Sequence, residues 1–432
     1  MTYTETLDYL FSRLPMFSRT GPAAIKPNLN NTYSICEWLG EPQKKIKSIH
    51  IAGTNGKGSS SHMLAAILQC CGYKTGLYTS PHLKDFRERI KINGEMISEE
   101  FVTAFTQQLK PLIQKIDPSF FEVTVGMAFE WFAKQHVNIA VIETGLGGRL
   151  DSTNVITPEL SVITNIGMDH TNLLGGTLQL IAAEKAGIIK KEIPVVIGES
   201  SCETDNIFLA TAADNKAPIV FADKQRYAAD WHQSKGYLFT DIVSAHDESR
   251  VSYQLDLPGI YQLKNLVTVT EAVHQLRLAG YSLPEDKVVH ALKQVKKLTG
   301  LHGRWETIHQ HPAVVLDVAH NEDGVNQLVK QIELSDYRSL HIVTGMVKDK
   351  EVEKALKLFP PEALYYFTQA QIPRALPAEQ LMEKGKAFGL QGSSYPDVNA
   401  ALKAAMSHAQ KDDLIVVCGS TFIVGEVSLN YG

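Results

Sequence analysis

The hydrophobic pattern predicts an alternation of strands and helices through the first half of the chain. Short apolar runs that end at glycine or polar residues predict strands, and apolar residues that recur every three or four positions predict helices. The predicted strands lie at residues 47–52, 74–79, 138–143, 160–165 and 193–197, and the predicted helices at 59–71 and 178–189. Uninterrupted apolar strands between helices indicate a mostly parallel sheet that is covered on both faces.

Residues 215–258 depart from this alternation. Three short strands are predicted there, at residues 218–221, 236–239 and 251–255. Short strands in succession, with no helix between them, are typical of an antiparallel appendage to the main sheet.

The alternation restarts after residues 298–303, whose sequence LTGLHG is typical of a linker. The elements predicted beyond it are strands at residues 313–318, 339–344, 364–368 and 414–418, and helices at 324–334, 351–358, 378–388 and 398–410. We therefore predict an α/β fold with two domains, residues 1–299 and a smaller one at residues 300–432.

Composition narrows the class of protein without naming a partner. The chain has 432 residues, of which 44% are hydrophobic and 21% are charged, as in ordinary globular proteins. Those values exclude a disordered chain or a fibrous one. The net charge of −5 disfavours a general nucleic-acid binder, which needs a basic face to neutralise phosphates.

The cysteines and the N-terminus predict a cytoplasmic protein. Five cysteines, an odd number without a Cys-x-x-Cys pair, are typical of reduced thiols in a reducing compartment. Residues 1–17 carry Glu5 and Asp8 and lack the basic and apolar parts of a signal peptide. Because no apolar run approaches 18 residues, we expect no membrane span.

A glycine-rich segment between the first predicted strand and helix carries the clearest candidate chemistry. It reads Gly53, Thr54, Asn55, Gly56, Lys57, Gly58 and Ser59. Backbone N–H groups at a helix N-terminus bind anions, and Lys57 adds a mobile cation for nucleotide phosphates. The segment departs from the general P-loop, because only two residues separate its first two glycines and a glycine follows the lysine. A plain tight turn is the alternative, and the three glycines with a lysine disfavour it. We expect all seven residues to contact ATP.

An acid ends one of the predicted strands. Glu143 follows an apolar run, and a carboxylate at the carboxyl end of a parallel strand faces the crevice where ligands bind. Beside a phosphate loop it can hold Mg²⁺. On spacing alone, an acid that caps the next turn is an equal alternative.

Seven stretches of sequence stand in order along the chain. They are GTNGKGS at 53–59, TSPHL at 79–83, ETGLGGRLDSTN at 143–154, NIGMDH at 165–170, EKAGI at 184–188, HGRWE at 302–306 and DVAHN at 317–321. Together they resemble the folylpolyglutamate and dihydrofolate synthases of the Mur ligase superfamily, and the set is far more specific than any one stretch. The resemblance implies an N-terminal P-loop-type ATPase domain, which binds ATP and folate, and a C-terminal Rossmann-like ligase domain.

The same resemblance assigns the metal and catalytic residues. It implies that Ser80, Glu143 and His170 hold Mg²⁺, and that Lys57, Lys185 and His320 are catalytic. Several relatives carry a carbamylated lysine at the position of Lys185, and the sequence leaves open whether this lysine is modified. Without the resemblance, Lys185 would be read as a solvated lysine on a helix. ATP and Mg²⁺ are the implied cofactors, with room for a monovalent cation such as K⁺.

Three residues near the predicted linker correspond to nucleotide-binding positions of the family. The amide of Asn265 suits the edge of the adenine base. The planar guanidinium of Arg304 offers several donors to a phosphate, and the carboxylate of Asp317 can accept hydrogen bonds from ribose hydroxyls. Relatives usually have proline after the His-Asn pair, where this chain has Glu322, which predicts a different local turn.

Four residues are implied to bind the pterin or folate. They are His82, Phe86, Arg87 and Asp151. Asp151 can accept paired hydrogen bonds from an amino-pyrimidine edge, although an Asx turn is a frequent use of aspartate after glycines. Phe86 and Arg87, with Arg89, suit a flat anionic substrate but equally fit a solvated helix face.

These assignments predict an ATP-dependent ligase that joins L-glutamate to dihydropteroate, to a reduced folate, or to both. The reaction would pass through an acyl phosphate. We expect a monomer that binds small-molecule substrates and does not bind nucleic acid or membranes. A Mur ligase for peptidoglycan precursors is the rival within the same class. A nucleotide switch or kinase, and a module that binds ATP without catalysis, are the rivals from other classes.

Overall fold

The computed structural model describes residues 1–24, 26, 28–348 and 352–428. Its first sheet has eight strands in the order β4-β3-β2-β5-β1-β6-β7-β8. They are β1 (Ser48–Ala52), β2 (Thr75–Tyr78), β3 (Ile90–Ile92), β4 (Glu95–Met96), β5 (Ile139–Glu143), β6 (Leu160–Ile163), β7 (Val195–Ile197) and β8 (Ile219–Phe221). All neighbours from β2 to β8 in this order pair in parallel, and β3 and β4 form an antiparallel edge. The predicted parallel sheet is confirmed.

Helices cover both faces of this sheet. They are α1 (Tyr3–Arg13), α2 (Phe17–Thr20), α3 (Asn30–Trp38), α4 (Lys57–Cys70), α5 (Glu99–Ile116), α6 (Phe120–Lys134), α7 (Thr171–Leu174), α8 (Leu178–Ala186), α9 (Asp205–Asp214), α10 (Ala222–Gln225), α11 (Gln262–Leu278), α12 (Glu285–Leu292) and α13 (Val295–Thr299). Successive side chains of a strand point to opposite faces. Val141 therefore belongs to the core cluster around α4 and α11, while Ile142 belongs to the cluster around α5 and α6.

The structure of residues 215–258 differs in one respect from the predicted antiparallel appendage, namely in which strands belong to it. Three antiparallel strands do form a separate sheet, namely β9 (Arg226–Ser234), β10 (Tyr237–Ser244) and β11 (Arg250–Leu255). The strand predicted at 218–221 is β8, which pairs in parallel with β7 and belongs to the main sheet. β9 was not predicted, because it is largely exposed on both faces and lacks an apolar repeat.

The second half of the alternation forms a six-stranded sheet in the order β12-β13-β17-β14-β15-β16. Its elements are β12 (Glu306–Gln310), β13 (Ala313–Leu316), α14 (Glu322–Glu333), β14 (Leu340–Thr344), α15 (Val352–Leu356), β15 (Leu364–Phe367), α16 (Ala378–Lys386), β16 (Gln391–Ser394), α17 (Val398–His408), β17 (Leu414–Cys418) and α18 (Thr421–Glu426). Only β12 runs antiparallel to its neighbour. We call residues 306–426 the C-terminal unit. The start of the predicted helix 351–358, Glu351, lies outside the described residues.

Two structural observations concern the predicted lack of a membrane span and the predicted reduced cysteines. No helix in the described part of the chain is long and apolar enough to cross a membrane. All five cysteines are free thiols, and Cys36 and Cys418 are buried in the cores of the two sheets.

Candidate active site between the two sheets

A cleft of about 830 Å³ lies where the carboxyl ends of the strands meet. Loops that follow β1, β2, β5, β6 and β7 line it from the first sheet, and loops that follow β13 and β17 line it from the C-terminal unit. Ligands of open α/β sheets bind in the crevice outside the carboxyl ends of the strands. Most of the residues selected from the sequence line this cleft.

The glycine-rich segment forms the floor of the cleft between β1 and α4. Gly56 has a φ of +83°, and a Cβ there would come within 2.2 Å of the side-chain oxygen of Asn265. Only glycine fits both the backbone and the space. The Nζ of Lys57 donates to the carbonyls of Gly53 at 3.0 Å and Thr54 at 3.2 Å, which holds the ammonium over the segment.

Lys185 approaches the same segment from α8. It is buried, and its Nζ donates to the carbonyl of Gly53 at 2.8 Å. Burial, together with the neighbouring charge of Lys57, lowers the pKa of Lys185 to about 7, against the opposing effect of Asp169 and Asp151. This lowering depends on burial, which the helical pattern of the sequence does not predict.

Glu143 stands at the end of β5, beside the segment. It is buried, and its Oε2 accepts a hydrogen bond from the backbone N–H of Ser80 at 3.1 Å. Burial raises the pKa of Glu143, while Lys57 and Arg304 act in the opposite direction. Ser80 itself lines the cleft next to it.

The predicted magnesium ligands Ser80, Glu143 and His170 all line the cleft. Among the residues that the structure describes, no group of three or more His, Cys, Asp or Glu side chains is arranged to hold a metal ion. Mg²⁺ usually binds one or two carboxylates and takes its other ligands from phosphates and water, so Glu143 beside a phosphate loop fits this ion. His170 lines the cleft with a φ of +52°, and its ring lies edge-on to Phe17 at 5.5 Å.

A hydrogen-bond network crosses the cleft to the C-terminal unit. The Nε2 of His320 lies 3.3 Å from Asp169 Oδ2, and its Nδ1 lies 2.9 Å from the carbonyl of Val318. The amide of Asn321 donates to Asp169 Oδ2 and to Asn55 Oδ1, both at 3.1 Å. His320 therefore faces an acceptor with each ring nitrogen, and the loop after β13 is joined directly to the glycine-rich segment.

The predicted nucleotide residues come together from distant parts of the chain. Asn265 contacts Gly56 as described, and the Nη2 of Arg304 would lie 3.3 Å from a Cβ placed on Gly58. Asp317 is buried, which raises its pKa. It accepts hydrogen bonds from the Tyr261 hydroxyl at 2.6 Å and from two backbone N–H groups, those of Trp305 and Ala319, at 2.9 Å each. Its carboxylate thus already has protein partners, and its predicted contact with the ribose hydroxyls stays a prediction.

Two of the predicted folate residues line the cleft. His82 accepts a hydrogen bond on Nδ1 from Arg89 at 2.7 Å, and burial lowers the pKa of His82 to about 3. Asp151 is buried and caps a short 3₁₀ helix, accepting hydrogen bonds from the N–H groups of Leu146 and Thr153. This is the Asx turn that was the alternative reading, although Asp151 still lines the cleft.

The other two predicted folate residues lie elsewhere. Phe86 packs in the core between Phe11 and Phe120. Arg87 lies outside the cleft and pairs with Asp85 at 2.7 Å and with Glu99 at 3.1 Å. The basic side chain of this stretch that lines the cleft is Arg89, which is buried, with its guanidinium 5.3 Å from the centre of the Phe120 ring. Residues two apart in an extended chain point the same way, but a 3₁₀ turn over Phe86–Arg89 separates them.

Three residues join the site that the sequence did not single out. Asp169 and Asn321 lie inside the stretches NIGMDH and DVAHN, so the resemblance to the family could have selected them. Asp169 contacts both His320 and Asn321. Tyr261 has no such signal. It lies in the turn before α11, and only the fold brings its hydroxyl to Asp317.

Comparison with known proteins identifies the family. The family model described as Mur ligase middle domain matches residues 51–273, and the one described as Mur ligase, glutamate ligase domain, matches residues 303–421. The chain is 33% identical to the dihydrofolate synthase/folylpolyglutamate synthase of Bacillus subtilis, over 93% of this chain and 94% of the relative.

Solved structures agree with this result. The chain superposes on Escherichia coli FolC in complex with DHPP and ADP with a TM-score of 0.84 and 28% identity, over 98% of this chain and 96% of that one. A bifunctional folylpolyglutamate synthase/dihydrofolate synthase with Mn, AMPPNP and L-glutamate bound gives a TM-score of 0.83 and 27% identity, over 98% and 97% of the two chains. The glycine-rich floor, the strand-end acid and the matched length lead to one conclusion: the chain belongs to the folylpolyglutamate synthase/dihydrofolate synthase family of Mur ligases.

Proposed function

We propose that this protein ligates L-glutamate to dihydropteroate, to a reduced folate, or to both, with ATP as the energy source. One observation carries the proposal. A phosphate loop, a strand-end acid and a buried lysine share one cleft with the loop of the C-terminal unit that bears Asp317 and His320. An enzyme that only hydrolyses ATP has no need of the second half of that cleft. The relatives named above are synthases of this kind, and one of them is described with L-glutamate bound.

ATP binds, in this proposal, across the glycine-rich segment. Backbone N–H groups of the segment at the N-terminus of α4 hold the phosphates, because donors in the first turn of a helix lack intrahelical partners and attract an anion. Lys57 turns from the carbonyls it now contacts toward the β- and γ-phosphates. Asn265, Arg304 and Asp317 surround the remainder of the nucleotide, and the two former residues already flank the segment.

Glu143 is the residue that would hold Mg²⁺, together with Ser80 and His170, which line the same cleft. When bound, the ion supplies positive charge to the transferring phosphoryl group. Lys185 lies against the same loop, and its lowered pKa provides the neutral amine that carbamylation requires. A binding place for K⁺ stays a prediction from the family resemblance.

The reaction must activate a carboxylate, because its oxygen is a poor leaving group. The substrate carboxylate attacks the γ-phosphate of ATP, and ADP leaves. Lys57 and Arg304 neutralise the charge that develops on the phosphoryl oxygens. The α-amine of L-glutamate then attacks the acyl carbon of the resulting acyl phosphate, and phosphate leaves. His320 lines the cleft, and the family resemblance assigns it a catalytic role in these steps.

The pterin or folate occupies the part of the cleft that is lined by aromatic and apolar side chains. Phe17, Phe120 and Phe121 line it together with His82 and Asp151. Flat rings bind between such side chains because they bury apolar area and stack. Arg89, rather than Arg87, offers the positive charge near that region.

We further propose the division at residues 1–299 and 300–432, with the chemistry at the junction, and a cytoplasmic monomer. The two family models support the division, because they end and begin on either side of it.

The test is the dependence of ADP release on the acceptor and on the amino acid. We expect turnover with dihydropteroate plus L-glutamate, with tetrahydrofolate plus L-glutamate, or with both pairs, and little turnover when L-glutamate is omitted. Turnover with UDP-muramoyl peptides instead would assign the protein to the cell-wall branch. Turnover that needs no amino acid would overturn the ligase proposal.

A further inference from the structure

Helix α14 is held by the first part of the chain at both of its ends. At its start, Asn321 caps the helix by accepting from the N–H of Gly324 at 2.8 Å, and it also contacts Asn55 and Asp169 across the cleft. Gln331 lies ten residues further on, a distance of about 15 Å along a helix. It is 1% exposed and lies outside the cleft.

Gln331 makes a reciprocal amide pair with Gln233 of β9. Its Oε1 accepts from Gln233 Nε2 at 2.9 Å, and its Nε2 donates to Gln233 Oε1 at 3.2 Å. The same Oε1 accepts from the backbone N–H of Ile260 at 2.8 Å. Gln233 Nε2 also donates to the carbonyl of Pro258. Two amides, the buried one of Gln331 and the half-buried one of Gln233, thus form one junction with two backbone groups between the three-stranded sheet and the C-terminal unit.

This junction is continuous with the site through residues 258–261. Ile260 is followed by Tyr261, whose hydroxyl donates to Asp317 at 2.6 Å. Tyr261 is followed by α11, whose Gln262 donates to Ser59 in the first turn of α4 at 3.1 Å. A displacement of α14 at Gln331 therefore reaches both the loop after β13 and the start of the phosphate-binding helix.

The amide groups of the junction are suited to fixing the orientation of α14, which apolar packing alone would not do. The neighbours of Gln331 on the buried face of α14 are Leu328 and Ile332, and an apolar residue would fill the same volume. An amide differs from an apolar side chain in that it has preferred directions, so the pair favours one rotation and one axial position of the helix. Removing one amide also leaves buried donors and acceptors without partners.

We propose that Gln331 and Gln233 form a clasp that positions α14, and with it His320 and Asn321, against the glycine-rich segment. Gln331 is then a positioning residue for ligation, acting through the loop at the start of its own helix. The inference rests on the proposed function, because it assigns the clasp a part in that reaction.

The test is a double-mutant cycle with Gln331→Leu, Gln233→Leu and the double variant, with Lys330→Gln as the control. Lys330 is an exposed neighbour on the same helix. kcat and the KM values for ATP and L-glutamate are measured by ADP release, well below the melting temperature of each variant. We expect each single leucine variant to lose about tenfold in kcat, equivalent to about 1.4 kcal/mol, with a change of less than about threefold in the KM for ATP.

The double variant should lose no more than the single variants, since either substitution already opens the clasp. A hundredfold loss in the double variant would show two independent effects and overturn the clasp. A kcat within about twofold of the wild type, even with a lower melting temperature, would show a purely structural junction and overturn the positioning role. If the wild-type protein shows no glutamate-dependent turnover, the proposed function fails, whatever the variants do.

Discussion

The two sides of the cleft are built in different ways. On the side of the first sheet, the proposed phosphate-binding groups come from one short segment, Gly53–Ser59, whose backbone and lysine are neighbours in sequence. On the side of the C-terminal unit, the loop after β13 is held by partners from far along the chain. Asp317 bonds to Tyr261, 56 residues away, and His320 lies beside Asp169, 151 residues away.

The two sides of the cleft therefore depend on the fold to different extents. A site made by one segment forms wherever its strand and helix form, because its donors are backbone N–H groups at a helix N-terminus. A site made by long-range contacts exists only when the two sheets are correctly placed. We therefore expect substitutions in the phosphate-binding segment to affect nucleotide binding and phosphoryl transfer directly. Substitutions among the long-range partners should have smaller effects on the rate of ligation, because they act through the placement of the C-terminal unit.

The largest effect should follow from Lys57→Ala, which removes the cation from the local side of the cleft. Loss of one preorganised group that stabilises developing charge costs about a hundred- to a thousandfold in rate. ADP release at saturating ATP measures it. Lys84→Ala, which removes a lysine that contacts the carbonyl of Val427, is the control for a general loss of charge. A Lys57→Ala enzyme with a near-normal rate would remove this residue from the mechanism.

A second prediction tests whether nucleotide binding depends on the backbone of the segment. Gly56→Ala places a Cβ within 2.2 Å of Asn265 Oδ1 at a φ of +83°. We expect the dissociation constant for ATP, measured by calorimetry, to rise by about tenfold or more, because the segment must shift to relieve this contact. A tenfold rise corresponds to about 1.4 kcal/mol of binding free energy.

Gly72→Ala is the matched control for this substitution. Gly72 follows the other end of α4, has a φ of +93° and has no atom within 4 Å of the position of a Cβ. It carries the same backbone strain without the contact. Gly72→Ala should therefore lower stability and leave ATP affinity unchanged. Equal losses of affinity in the two variants would show that strain in α4, and not the contact with Asn265, is responsible.

The third prediction concerns Lys185 and pH. Its pKa is lowered from 10.5 to about 7 in the folded protein. Between these values the unfolded chain binds a proton that the folded chain does not, so this residue makes stability rise with pH, by up to about 1.4 kcal/mol per unit. Below pH 7 both states are protonated and the dependence disappears.

Lys185→Met should remove this dependence. We expect the wild type to gain about 2 kcal/mol relative to the variant between pH 7 and pH 9, as measured by urea unfolding in carbonate-free buffer. Lys191→Met, at an exposed position beyond α8, serves as the control and should follow the wild type. Parallel curves for the wild type and Lys185→Met would mean that the amine is not buried in its neutral form.

The smallest effect should come from the long-range side. Tyr261→Phe removes the hydroxyl that donates to Asp317, and one net hydrogen bond of about 1 kcal/mol corresponds to about a fivefold loss in kcat. Tyr253→Phe is the control, because its hydroxyl donates to Glu285 at the same 2.6 Å, outside the cleft. If both variants keep full activity, the contact between Tyr261 and Asp317 contributes to stability alone.

Sequence reasoning located the strands and the glycine-rich segment because both leave local signals. β17 has the predicted bounds at Leu414–Cys418, and β5 differs from its prediction by one residue. β9 and Tyr261 left no such signal, since one is an exposed strand and the other a single tyrosine in a turn. Arg87 was selected over Arg89 because sequence does not tell which side of a short turn faces a cleft.

What the sequence determined by itself is the alternation of strands and helices, the anion-binding segment and the family. These depend on periodicity, on glycine where φ is positive, and on ordered motifs. Only the tertiary structure decided which carboxylates are already engaged, why the pKa of Lys185 is lowered, and how Gln331 joins Gln233. Burial and long-range hydrogen bonds are sums over neighbours that the fold selects, and a linear sequence does not list those neighbours.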